Sequence, residues 1–148
     1  MFRVSASTEI AAPPLAVWNT IIQMDEYADW NSQLHYLGGA LALGETIQLK
    51  LTPLGQQGYE FKPKIIAFEP EREFAWVART GFKGLFDGEH HFVIHNLGYN
   101  RSRLDNFEIY SGLLSPIMQQ LPMMKGANEG FAVINEEIKK KAESLCSA

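Results

Sequence analysis

His90 and Glu108 are the two side chains of this sequence best suited to chemistry. An imidazole and a carboxyl group can exchange protons with a bound molecule when they stand within hydrogen-bond reach of it. His90 belongs to an alternating run from Phe86 to Ile94, in phase with Phe86, Phe92 and Ile94 and therefore on an apolar face. On such a face a lone histidine more often completes a core, with its ring nitrogens satisfied by neighbours, than meets a ligand. Glu108 lies two residues from both Asn106 and Tyr110. Its direction is ambiguous on these grounds alone, because Phe107 and Ile109 make the opposite face of the same run equally apolar.

A third polar residue interrupts a helical stripe. Ala127, Phe131, Ile134, Ile138, Ala142 and Leu145 recur at spacings of three and four, and Asn135 falls in phase with Phe131 and Ile138. A buried amide needs a partner, whether backbone, water or ligand. Trp30, Phe61, Trp76, Phe86, Phe92, Met118 and Phe131 are the large apolar side chains that could wall a cavity, or serve as plain core. Other chemistries find little support. Alternation sends His91 and His95 to the face opposite His90, so the histidines do not converge and no metal is expected. The stretch from Gly81 to Gly88 lacks the ending and the following helix of a phosphate loop, no nucleophile elbow is present, and no cofactor is expected. Cys146 is the single cysteine, which excludes an internal disulfide and a cysteine-built metal site.

The elements that must position these residues follow from composition and period. The 148 residues, 46% hydrophobic and 20% charged, suffice for one domain spanning 1–148 with a core of its own. A formal charge of −4 offers no basic stripe for a phosphate backbone, so no nucleic-acid partner is expected. The Lys139-Lys140-Lys141 run is flanked by Glu136, Glu137 and Glu143 and reads as a solvated helix face. No apolar run approaches the ~20 residues of a membrane span, and the N-terminus lacks the apolar stretch of a secretory signal. A cytoplasmic location is expected. The oligomeric state is left open.

Phe2 to Ile10 alternates as a strand, and Pro13-Pro14 must end it, since consecutive prolines fit only the first turn of the helix that runs to about Gln23. Asp25 is a candidate cap for a second short helical turn through Tyr27 and Asp29. Strands are then expected at Leu34 to Leu37, Thr46 to Thr52, Tyr59 to Phe68, around Phe74 to Ala78, Phe86 to Ile94 and Arg101 to Tyr110, about seven in all with the first. Pro63 marks an edge or a bulge in its strand, and Asn96 to Asn100 a turn. Ser115-Pro116 reads as an N-cap followed by proline, and Pro122 as a break before the long helix of about five turns. Wrapping a curved antiparallel sheet around that helix buries both apolar faces and leaves a cavity where the helix cannot fill the curve.

Several short motifs, in order along nearly the whole chain, resemble the START, polyketide-cyclase and pollen-allergen-like superfamily. Ile10-Ala11-Ala12-Pro13 with Val17-Trp18 is similar to its first strand and helix, and Tyr27 with Trp30-Asn31 to its second helix. The run from Phe86 to Phe92 is similar to a sheet strand of the bacterial polyketide-cyclase-like branch. Glu108 with Gly112 and Pro116 resembles the approach to the final helix, where Asn135 and Ile138-Lys139 match a similar Asn and Leu-Lys. The resemblance implies an α+β helix-grip fold, with two short helices after the first strand and the sheet wrapped around the C-terminal helix. It also implies that Glu108 points inward, which would set it across adjacent strands from His90 as a coupled acid and base. The implied function is binding of a small, mostly apolar, lipid-like or polyketide-like molecule in the cavity. The candidate ligand residues are His90, Glu108, Asn135 and the aromatic and methionine side chains named above. The alternatives are a cyclase, aromatase or dehydratase that uses the His/Glu pair, and a protein-interaction module similar to chaperone-activating members, since one fold hosts many functions.

Overall fold

A computed structural model describes residues 1–146. Strand β1 (Phe2–Ile10) leads into α1 (Pro14–Ile22), a 3-10 turn at Met24–Glu26 and α2 (Tyr27–Trp30). Seven strands follow: β2 (Leu34–Gly38), β3 (Gln48–Leu51), β4 (Tyr59–Phe61), β5 (Lys64–Glu69), β6 (Glu73–Thr80), β7 (Phe86–Gly98) and β8 (Arg101–Ser111). The chain ends in α3 (Ser115–Met118), a 3-10 turn at Pro122–Met124 and the long helix α4 (Ala127–Ser144).

The strands form two antiparallel sheets rather than one of about seven strands. Five run in the order β1-β8-β7-β6-β5, and three in the order β2-β3-β4. Pro63 is the reason for the extra break. The predicted strand from Tyr59 to Phe68 splits into β4 and β5 around Lys62 and Pro63, because proline has no N–H to give to a ladder. The sheets stay joined nearby, where the Ile47 N–H donates to the Pro63 carbonyl at 3.0 Å and Thr46 bridges Lys64. The chain thus forms the curved antiparallel surface and C-terminal helix of the helix-grip fold.

Local chemistry sets the register. Tyr99 and Asn100 both take positive φ, 53° and 58°, as a two-residue type I′ hairpin between β7 and β8 demands. The predicted turn at Asn96 is therefore shorter than expected, and β7 runs on to Gly98. Ser115 is the first residue of α3 rather than its cap, and Leu114 holds the cap position. Asp25 likewise makes no side-chain cap, since it lies inside the 3-10 turn.

The register pairs His90 with Glu108 and Gly88 with Tyr110 across β7 and β8. The inner face of these strands packs on α4 through Ile134, Ile138 and Ala142, all buried with Phe74, Phe92 and Leu104 in one core. Trp18 anchors α1 to that core, edge-on to Phe68 at 5.2 Å and to Phe74 at 6.5 Å. Leu145, last in the predicted stripe, is exposed because it follows the end of α4.

Candidate functional site

Helix α4 fills only part of the curve. Towards its first turns a cavity of about 380 Å³ opens between helix and sheet, a size usual for small-molecule sites. Its walls come from β3 and β4 (Leu51, Tyr59, Phe61), β6 (Trp76, Ala78), β7 (Phe86, Gly88, His90), β8 (Glu108, Tyr110) and α4 (Gly130, Phe131, Ile134). Gln33 closes one side, with its Nε2 donating to the Gly130 carbonyl at 2.9 Å. A Cβ on residue 130 would fall 2.9 Å from the Gln33 Oε1, so the glycine permits this contact.

Glu108 faces inward and its side chain is 14% exposed. Its Oε1 accepts the Tyr110 hydroxyl at 2.8 Å and lies 3.6 Å from the His90 Nδ1, an ion pair when the ring is protonated. His90 Nε2 donates to Asn106 Oδ1 at 2.6 Å. The imidazole is also packed by rings, with Phe92 at 4.6 Å, Trp76 at 4.7 Å and Phe131 at 5.0 Å. His90 is therefore both a buried core residue, hydrogen-bonded through Nε2, and part of the cavity wall.

Burial, and then the negative charge of Glu108, push the Tyr110 hydroxyl well above the ordinary phenol range. The same two causes in the same order raise Tyr59. Both phenols thus stay protonated at neutral pH, and Tyr110 donates to the carboxyl group. Of the other charged side chains along the cavity, Arg79, Lys125 and Glu129 are exposed and form its rim. Arg79 is drawn to Asp87, with Nε and Oδ2 3.8 Å apart.

The structure brings six of the sequence-derived candidates to the cavity: Phe61, Trp76, Phe86, His90, Glu108 and Phe131. Four stand elsewhere. Trp30 ends α2 and packs edge-on against Tyr27 at 5.0 Å, on the margin of the core. Phe92 is one inner-face position beyond His90, where α4 has closed on the sheet, and stacks on Phe74 at 6.3 Å. Met118 belongs to α3, beyond the end of β8. Asn135 turns towards β1 and donates from Nδ2 to Thr8 Oγ1 at 3.2 Å. Its partner is thus a half-buried side chain of the sheet.

Tyr59, Tyr110, Gly88 and Gln33 line the cavity without having been singled out for it. Tyr110 could have been found from its shared phase with Glu108. Gly88 carried a signal too, since glycine inside an alternating strand often marks a close approach. A Cβ there would fall 2.5 Å from Glu108 Oε2. Tyr59 and Gln33 gave no local sign, because loop and sheet curvature bring them in.

On the outer face of the sheet, His91 Nδ1 meets Glu73 Oε2 at 2.9 Å and His95 Nε2 meets Asp105 Oδ2 at 2.8 Å. Among the described residues, no group of three or more His, Cys, Asp or Glu side chains is placed to hold a metal ion. Among the same residues, no helix is long and apolar enough to cross a membrane.

No family model and no curated protein matches the sequence. Solved structures do match the fold over nearly the full chain. The Zhui aromatase/cyclase from Streptomyces sp. R1128 superposes with a TM-score of 0.75 at 15% identity, covering 99% of this chain and 96% of that one. A norcoclaurine synthase from Thalictrum flavum gives 0.73 at 13%, covering 99% and 97%. A Thermus thermophilus protein gives 0.73 at 14%, covering 99% and 100%. Identities this low establish the shared fold, with no transfer of activity.

Proposed function

We propose, from the helix-grip fold that this chain shares with START and polyketide-cyclase-like proteins, that it binds a small, mostly apolar molecule between the sheet and α4. The carrying observation is the cavity of about 380 Å³, walled largely by aromatic and aliphatic side chains and holding one largely buried carboxylate, Glu108. Apolar walls with a few convergent polar groups are the usual makeup of a ligand site. The body of the ligand lies against Trp76, Phe61, Phe86 and Phe131, and its polar end meets Glu108. Native mass spectrometry and organic extraction of freshly purified protein test this. A bound small molecule is expected, and repeated preparations that neither carry one nor take up an apolar dye would overturn the reading.

A second reading is acid-base catalysis at the same residues, of the kind needed for cyclisation or dehydration. It is favoured by the Tyr110 hydroxyl held on Glu108 Oε1, with His90 on the same oxygen's other side, a set of groups able to give and take a proton. Two of the structures sharing the fold are named as an aromatase/cyclase and a synthase. Turnover of a polyketide-like substrate that falls at least ~100-fold in Glu108→Gln, with binding retained, would establish it. Binding without turnover in the unaltered protein leaves the first reading alone.

A further inference from the structure

We propose that the polar end of the cavity selects a protonated amine, so that the ligand is an amphiphile with an ammonium head and an aromatic or aliphatic body. This rests on the cavity being a binding site.

Glu108 places a carboxyl group inside the cavity. Among the charged side chains that line the cavity it is the largely buried one, since Arg79, Lys125 and Glu129 stand at the rim. Its closest polar neighbours are Tyr110 and His90. Tyr110 gives Oε1 a hydrogen bond but no positive charge. His90 stands with Nε2 2.6 Å from Asn106 Oδ1 and Nδ1 3.6 Å from Glu108 Oε1, the latter beyond hydrogen-bond length, so the ring gives the carboxyl group no hydrogen bond.

Glu108 Oε2 is the open position. It takes no hydrogen bond among the described residues, and it sits in the room that Gly88 leaves against β7. A donor entering the cavity completes this oxygen, and a cationic donor does so with about twice the strength of a neutral one. The surrounding rings act in the same direction. Trp76, Phe61, Phe86 and Phe131 carry negative π faces, which attract cations and repel anions. A ligand headed by a carboxylate or phosphate would meet Glu108 as a like charge.

Three compounds of one body and different heads test the proposal: 2-phenylethylamine, 2-phenylethanol and phenylacetate. Calorimetry or quenching of tryptophan fluorescence gives their affinities at neutral pH. The amine is expected to bind roughly tenfold or more tighter than either of the others, and the gap to the alcohol should shrink to within about twofold in Glu108→Gln. Gly88→Ala is a second variant, since its methyl displaces Oε2, and it should weaken the amine more than the alcohol. Phenylacetate binding as tightly as the amine, or a preference that survives both substitutions, would overturn the proposal. N-Phenyl-1-naphthylamine, uncharged at neutral pH, reports on the cavity itself. Dye uptake without amine preference overturns the amine assignment alone. Failure of the dye and of all three compounds overturns the binding reading and the amine assignment together.

Discussion

Single atoms on the inner face of β7 and β8 decide what the cavity can hold. The Tyr110 hydroxyl is a buried donor whose acceptor is a carboxylate, so Tyr110→Phe leaves Oε1 short of a partner and should cost about 1–2 kcal/mol in urea unfolding. Alkaline titration tests the same hydroxyl by another route. Burial raises Tyr27, while burial and Glu108 raise Tyr110, so both native phenols stay protonated where an unfolded phenol ionises. Stability from these two groups is present below the unfolded value of about 10 and is lost as pH rises beyond it. Phenolate absorbance should therefore contain a step that coincides with alkaline unfolding, and Tyr27→Phe or Tyr110→Phe should each reduce that step. A step unchanged by both substitutions would contradict the burial described.

At the scale of elements, the β7–β8 hairpin positions the whole site, because its register sets His90 opposite Glu108 and Gly88 opposite Tyr110. A slip of one residue would turn the inner face of the slipped strand outward. The turn that holds this register is built from a tyrosine and an asparagine at positive φ, and tyrosine is poorly suited to that region. Tyr99→Asn should thus raise stability by about 0.5–1 kcal/mol without changing ligand affinity, as denaturant titration would show. Much of this level was legible beforehand. Proline pairs, alternation and the three-four stripe located β1, α1, β7, β8 and α4, since each is a local rule of backbone or side-chain spacing. The break at Pro63 was legible as an irregularity, but whether it made a bulge or divided a strand depended on how the second sheet curls.

For the molecule as a whole, sheet and helix α4 share one buried core that contributes to stability. Ile138 is fully enclosed between α4 and the sheet, and Ile138→Ala should cost about 2–5 kcal/mol through lost burial and the void left behind. The outer face contributes differently. Asp105 ties β8 to β1 and β7 by accepting from Ser7 Oγ at 2.7 Å and His95 Nε2 at 2.8 Å. Burial works to raise its carboxyl, but the Ser7 hydrogen bond, the Arg103 guanidinium and His95 outweigh it and hold the group below the usual value of 3.8. The contribution is complete above about pH 4 and is lost as pH falls through the depressed folded value. Asp105→Asn should flatten the acid limb of a stability-pH curve, whereas an unchanged limb would show that the carboxylate adds nothing there.

By itself the sequence determined most of the order of elements and the inward phase of His90, because periodicity and proline chemistry act over a few residues. It also supplied a family likeness that implied the helix-grip architecture and an inward Glu108. Only the tertiary structure decided that Glu108 meets His90 and Tyr110 on one oxygen, that Gly88 makes room for the other, and that Asn135 and Phe92 belong to the packed part of the core. Those outcomes depend on strand register and on where a straight helix parts from a curved sheet. Neither quantity is written in any one segment.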